Sequence, residues 1–343
     1  MFKIVLVTAI ILCLALLLLI CVMSNRREKF TTGSDHVLLI PNERVDHYSQ
    51  NFIHALEFYY RSIDKVLKEE KGKYIISSLG RKHHYIKRFI QRLQVSMPEI
   101  QISDSNHSSD SSVIQTEVIP DEYKNYKIQI ENSRLSEYNN DLVNNMLTHG
   151  IDAKEMKLEV LHWMNPDTAR VVRTSLCGPD EYRDSPKVGI INRRNNRRLL
   201  NINSIKFEVS ALGLDVEEIF FESKDFDTQI NFNNSHDIII APHGANLSST
   251  PFIPDYGAVI EICNPEWVPY NYFPGLSISS GKSHYLICHS HPAVEEKPDH
   301  KTQLKLDIDA DPGQIVKCIE EFMIHRDRMY QEQNPDGTVL KLL

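Results

Sequence analysis

Hydrophobic positions follow two rhythms along this chain. From His36 to about Leu161, the short runs "HVLLIP", "KYIISSL" and "KLEVL" have the length and composition of strands. Between them, "NFIHALEFYYRSIDKVLKEE" and "HHYIKRFIQRLQ" repeat apolar side chains at three- and four-residue intervals, which predicts amphipathic helices. The Ser/Asp cluster from Ser103 to Ser112 has no apolar period and reads as an exposed loop. The second half is more regular. "KVGIIN" (187–192), "EEIFF" (217–221), "DIIIA" (237–241), "AVIEI" (258–262) and "HYLIC" (284–288) alternate with helix-like stretches. Continuous β-branched runs of that length predict a parallel sheet covered on both faces, a Rossmann-like arrangement. The Pro-, Gly- and charge-rich stretch Cys177–Pro186 reads as a linker. The pattern therefore predicts an α/β protein of two Rossmann-like domains, 36–176 and 177–330, facing a cleft, with a tail at 331–343.

One segment belongs to neither rhythm. Ile4–Met23 carries no charge and is long enough to span a bilayer as a helix. No small-x-small cleavage site follows it, so residues 1–30 read as an uncleaved membrane anchor and its flank rather than a signal peptide. Flanking charge, with Lys3 on one side and Arg26, Arg27 and Lys29 on the other, leans weakly toward a cytoplasmic C-terminal domain. Four cysteines outside the anchor (177, 263, 288 and 318) and sequons at Asn106, Asn233 and Asn246 pull weakly toward a lumen.

Charge narrows the ligand. With 38 basic against 46 acidic residues in 343, the net charge is -8, which excludes a chain-wide basic surface for nucleic acid. An anionic ligand must be met by a local site. Two stretches qualify, each directly after a predicted strand, where ligands bind in open α/β sheets. "DIIIA" ends in Pro242, His243, Gly244, Ala245 and Asn246. There, a glycine permits close backbone approach, and the following amides can point at phosphate. "KVGIIN" ends in "RRNNRRLLN", with Arg193, Arg194, Arg197, Arg198 and Asn201. Guanidinium groups that close repel one another unless they face water or share an anion. Taken singly, the first stretch reads as a tight turn and the second as a solvated basic loop; meeting at one sheet edge, they favour an anionic ligand.

These residues also carry a resemblance. "GIINRRNNRRLLN", "DIIIAPHGANLSSTPFIPDYGAVIEI" and "GKSHYLI" resemble the second half of glycosyltransferase family 61, continuously over about Val188 to Leu286. "NFIHALEF" is similar to the family's Asn-aromatic-x-His helix start, but Phe58 stands where the family has an acidic residue, with Glu57 one step earlier. The resemblance implies a GT-B architecture, with the nucleotide sugar on the C-terminal domain. It also implies an inverting enzyme, membrane-anchored and facing the ER or Golgi lumen, and that placement overrides the flanking charges. The donor would be a UDP-sugar and the acceptor a glycan or glycoprotein. The family transfers xylose, arabinose or N-acetylglucosamine.

On this reading Arg193, Arg194, Arg197 and Arg198 hold the diphosphate, with His243 and the amides of Gly244, Ala245 and Asn246. Fixed donors there can stabilise charge on the leaving group without a required cofactor or metal, though metal use stays open. Asn201 orients the arginines or caps its helix. Glu261 accepts ribose hydroxyls or pairs with an arginine. His54 and then Glu57 are the candidates for general base. The Asp-x-Asp patterns at 225–227 and 307–311, and the stretch "CHSHP", are discounted as metal sites. The other class left open is a membrane-tethered module that binds nucleotide or glycan without turnover, which Phe58 favours.

Overall fold

In the computed structural model, the β-branched runs become strands and the periodic stretches become helices. Residues 37–40, 52–69, 72–78, 84–103, 112–115, 165–180, 182–263, 272–288, 305–331 and 340–342 are described. The apolar run Ile4–Met23 and "KLEVL" lie outside them. Among the described residues no helix is long and apolar enough to cross a membrane.

The first region holds β1 (Val37–Ile40), α1 (Phe52–Lys68), β2 (Tyr74–Ser77), α2 (His84–Ser96), β3 (Gln101–Ser103) and β4 (Ser112–Gln115). Its strands form one parallel sheet in the order β3-β2-β1-β4. Strands β3 and β4 flank the Ser/Asp cluster and are too short and polar to stand out in the sequence.

Between the two regions lies α3 (Pro166–Cys177), which starts as a capped helix should: Asn165 Oδ1 accepts from the amides of Asp167 (2.8 Å) and Thr168 (3.4 Å), and Pro166 begins the first turn. There follow β5 (Val188–Asn192), α4 (Ile202–Ala211), β6 (Val216–Phe220), α5 (Phe226–Ser235) and β7 (Ile238–Pro242). Then come a 3-10 helix (Ala245–Phe252), β8 (Ala258–Cys263), α6 (Tyr272–Ser279), β9 (Ser283–Cys288), α7 (Pro312–Gln331) and β10 (Leu340–Leu342). All six strands are parallel in the order β10-β9-β8-β7-β5-β6. The chain leaves β5 to one side for β6 and returns on the other for β7. This reversal is the point where α/β sheets open a crevice at their carboxyl ends.

Pleating separates two apolar layers. Val188, Ile190, Ile238, Ile240, Ala258, Ile260, Ile262, Tyr285 and Ile287 face α4 and α7. Ile191, Ile239, Ala241 and Val259 face the opposite way, onto α3, α5, the 3-10 helix and α6. Gly189 lets α5 approach β5, because a Cβ there would sit 2.7 Å from the Phe232 ring. The second layer continues into the first region through Tyr59, Tyr60 and Phe89. Phe89 meets Phe226 and Phe252 edge-on at 6.2 and 6.5 Å. Arg88 and Arg92 of α2 hold Asp227 of α5, at 2.7 and 3.0 Å. The helices of the first region therefore share a core with the second.

The stretch expected as a linker is firmly held. Asp180 pairs with buried Arg173 at 2.5 Å and accepts the amide of Asp255 at 2.5 Å, while Arg183 pairs with buried Asp237 at 3.1 Å.

Candidate functional site

The site grows from the carboxyl ends of β5 and β7. Asn192, the last residue of β5, ties the following loop into a ring. Its Oδ1 accepts from the amides of Arg193 (2.8 Å) and Leu199 (2.9 Å), and its Nδ2 donates to Leu199 O (3.4 Å) and Glu218 Oε1 (3.0 Å). The far side is pinned to segment 305–310: Arg197 N donates to Lys305 O (3.3 Å), Ile308 N to Arg198 O (2.8 Å), and Leu200 N to Ile308 O (2.9 Å). So constrained, the loop holds Asn196 at φ 51° and Arg197 at φ 58°. Asparagine tolerates that conformation, but arginine pays roughly 1–2 kcal/mol for it. The strain aims the Arg197 guanidinium across to β7, where Nη1 donates to His243 O at 2.8 Å.

Gly244 completes the junction. At φ 151° it is unfavourable for any other residue, and a Cβ would overlap Arg193 Nη1. Arg193 thus packs its Nη1 against bare backbone. Its Nε and Nη1 are buried with no hydrogen-bond partner, and it forms no ion pair among the described residues. Burial pulls the Arg193 pKa below its ordinary value; burial and then the Arg193 charge bring Arg197 down to about 10. Two adjacent cations that resist their own charge make a place where an anion is favoured. Beyond Gly244, the 3-10 helix presents its first amides, those of Ala245 and Asn246, which have no acceptor within the helix. Ala245 is exposed and Asn246 half-buried.

The remaining predicted residues are placed differently. Arg194 stacks over the Phe220 ring at 5.4 Å. Arg198 forks onto Asp307, Nε at 3.0 Å and Nη2 at 2.5 Å, so the first acid of that Asp-x-Asp pattern is a partner for arginine. In the other pair, Asp225 caps α5 through the Thr228 amide (2.8 Å), and Asp227 belongs to α2's arginines. Asn201 neither caps α4 with its side chain nor turns to the arginines; it bonds both backbone groups of Ala310, Nδ2 to O at 2.5 Å and Oδ1 from N at 3.2 Å. The returning 305–310 segment, invisible to local pattern, captures it.

Glu261 is buried and both its oxygens are engaged: Oε1 with His243 Nδ1, and Oε2 with His284 Nε2 at 3.0 Å. Its hydrogen-bond partners are imidazoles, and no hydrogen bond or ion pair joins it to a guanidinium among the described residues. Burial alone would raise its pKa, but the two imidazoles outweigh this and hold it at about 2. His284 was not among the expected site residues. The pleat explains the alignment, since His243, Glu261 and His284 share parity with Ala241 and Val259 on the same face of three adjacent strands. His243 also meets the Phe273 ring edge-on, at 5.1 Å.

Position 58 lies in the first region's core. Phe58 is buried and edge-on to Tyr59 at 5.4 Å. His54 and Glu57 lie on α1, but their side chains fall outside the described residues. Sequon Asn233 is buried, its Nδ2 donating to Gln229 O (2.9 Å) and Ser249 Oγ (2.7 Å), and the Asn246 Nδ2 is buried too; neither is open to glycosylation in the folded chain. The hydroxyls of Ser248, Ser249 and Thr250 return to the carbonyls of Ala245, Asn246 and Leu247 at 2.7, 3.2 and 2.6 Å, which leaves no activated nucleophile.

The family model described as Glycosyltransferase 61 matches residues 37–260. A rice (Oryza sativa subsp. japonica) protein, beta-1,2-xylosyltransferase XAX1, is 30% identical over 104 residues, which cover 29% of this chain and 18% of that protein. EGF domain-specific O-linked N-acetylglucosamine transferases of dog (Canis lupus familiaris) and chicken (Gallus gallus) are each 28% identical over 134 residues, 38% of this chain and 23% of theirs. The matched stretches thus span about a fifth of the length of these relatives.

Proposed function

The chain belongs to the glycosyltransferase 61 family, and on that footing we propose that it transfers a sugar from a UDP-sugar to a glycan or glycoprotein, with inversion at the anomeric carbon. The observation that carries the donor site is half-buried Arg193, whose Nε and Nη1 are buried without a hydrogen-bond partner against Gly244 at the sheet's reversal point. A diphosphate there would receive Arg193 and Arg197 together with the amides of Ala245 and Asn246, and His243 forms the adjoining wall. Exposed Arg194 and the Arg198–Asp307 pair lie at the rim. In the reaction an acceptor oxygen forms a bond to the anomeric carbon as the bond to the diphosphate breaks. The leaving group gains negative charge, and preorganised donors stabilise it more than the ground state.

The acceptor's proton passes to a base on the first region, and His54 and Glu57 on α1 are the candidates. The chemistry asks for no cofactor. The two parallel sheets suit a GT-B arrangement, residues 36–176 serving the acceptor and 177–330 the donor. Xylose and N-acetylglucosamine are the donor sugars suggested by the relatives' names. The span Ile4–Met23 would anchor the chain, with the catalytic region in the ER or Golgi lumen.

A second reading, a module that binds nucleotide without turnover, is favoured by one observation, the buried Phe58 in the family's acidic position. Release of UDP from UDP-xylose and UDP-N-acetylglucosamine, followed with the full chain and glycan acceptors, separates the two. Acceptor-dependent release supports transfer; saturable UDP binding with no release supports the module.

A further inference from the structure

Behind the arginine loop, the buried row His243–Glu261–His284–Ser277 is more elaborate than packing requires. Its proton count can be followed from one end. The single hydroxyl proton of Ser277 is directed at Phe273 O, 2.9 Å away, a group that can only accept. Ser277 Oγ therefore accepts from His284 Nδ1 at 2.9 Å, so that nitrogen carries hydrogen. The other nitrogen, Nε2, faces Glu261 Oε2 at 3.0 Å and must carry hydrogen too if the carboxylate is ionised, since two lone pairs would repel. His284 is then an imidazolium that competes for the carboxylate holding His243. Among the described residues, the groups bearing on Glu261 are His243 just after β7, His284 from β9 and the Arg197 charge from the loop after β5. The Phe273 ring and, through the His243 carbonyl, Arg197 are among the groups that also hold His243.

We infer that Glu261 and His284 are positioning residues for the diphosphate, the shared carboxylate setting how readily His243 holds a second proton beside the two arginines. This deepens the donor-site reading and rests on it. A cationic His243 adds charge to the pocket wall, so affinity for UDP rises as pH falls through its titration. Substitutions on the two sides of the row should then act oppositely. Glu261→Gln removes the anion that favours the His243 cation and moves the midpoint down. His284→Gln removes the competing cation and moves it up, each by about one pH unit.

The test is UDP affinity of the full chain against pH for wild type and both variants, with the histidine ring nitrogens followed by NMR in the nucleotide-free protein. Midpoints displaced in opposite directions support the inference. Wild-type midpoints in a folded His284→Gln protein overturn it, whether or not Glu261→Gln folds. If wild type binds no UDP at any pH, the donor-site reading fails, and the nucleotide-free imidazole titrations still decide the relay: opposed shifts uphold the carboxylate's control of His243, and unmoved ones refute it.

Discussion

The six-stranded sheet holds cations at both of its ends and treats them in opposite ways. At the amino ends of the strands, Arg173 and Lys282, each 1% exposed, face Asp180 and Asp255, with Lys282 Nζ at 2.7 Å from Asp255. Asp237 likewise holds Arg183 (3.1 Å) and Arg326 (3.5 Å). At the carboxyl ends, Arg193 is half-buried, with Nε and Nη1 buried against Gly244 and no acid in hydrogen-bonding reach. A buried charge with its counter-ion fixes architecture, whereas a guanidinium with buried, unsatisfied nitrogens marks where something anionic belongs. Charge alone does not separate the two ends; completion of the charge by the protein itself does.

Breaking the complete end should give the largest effect. Asp255→Asn strands Lys282 and weakens Arg173, and should lower unfolding free energy in denaturant titrations by about 3–5 kcal/mol. Nucleotide affinity of the folded fraction should stay at its wild-type value, because the site lies at the opposite strand ends. Acid should act next. Glu261 falls from an ordinary 4.5 to about 2 on folding, so its stabilising contribution is complete above pH 4.5 and disappears as pH falls toward 2. That component, on the order of 3 kcal/mol, should be missing from the acid-unfolding curve of Glu261→Gln.

The incomplete end should respond in the reverse sense. Arg193→Met should weaken UDP binding by roughly 1.5–3 kcal/mol, the worth of a charged hydrogen bond, while leaving the denaturant midpoint unchanged or raised, since a half-buried charge with two unsatisfied nitrogens is removed. A fall in stability with no change in affinity would place Arg193 with the architectural arginines. Smallest of all, Arg198→Ala should leave the denaturant midpoint indistinguishable from wild type, because its pairing with Asp307 lies in solvent.

How much of this was legible in the sequence follows from range. Strands β5 to β9 were legible as apolar runs because every residue of β5, β7 and β8 is buried, so no alternation interrupts them. The meeting of "RRNNRRLLN" with "PHGAN" was legible because both follow strands. Yet only three-dimensional neighbours distinguish Arg193 from Arg198: the partner of Arg198 lies 109 positions away, on a segment with no pattern of its own. Glu261 was visible as polar in an apolar strand, but its second histidine is 23 positions on and is aligned by the parity of β9. Phe58 looked like a departure from a motif; its burial in an aromatic cluster shows the packing that accommodates it.

Calorimetric titration of UDP into the full chain, in detergent and at physiological salt, tests the central claim most directly when wild type, Arg193→Met and Asp255→Asn are compared. The account predicts one saturable site in wild type, unchanged affinity in Asp255→Asn, and at least a tenfold loss in Arg193→Met. Equal affinity in wild type and Arg193→Met, or no binding to wild type at all, would contradict it.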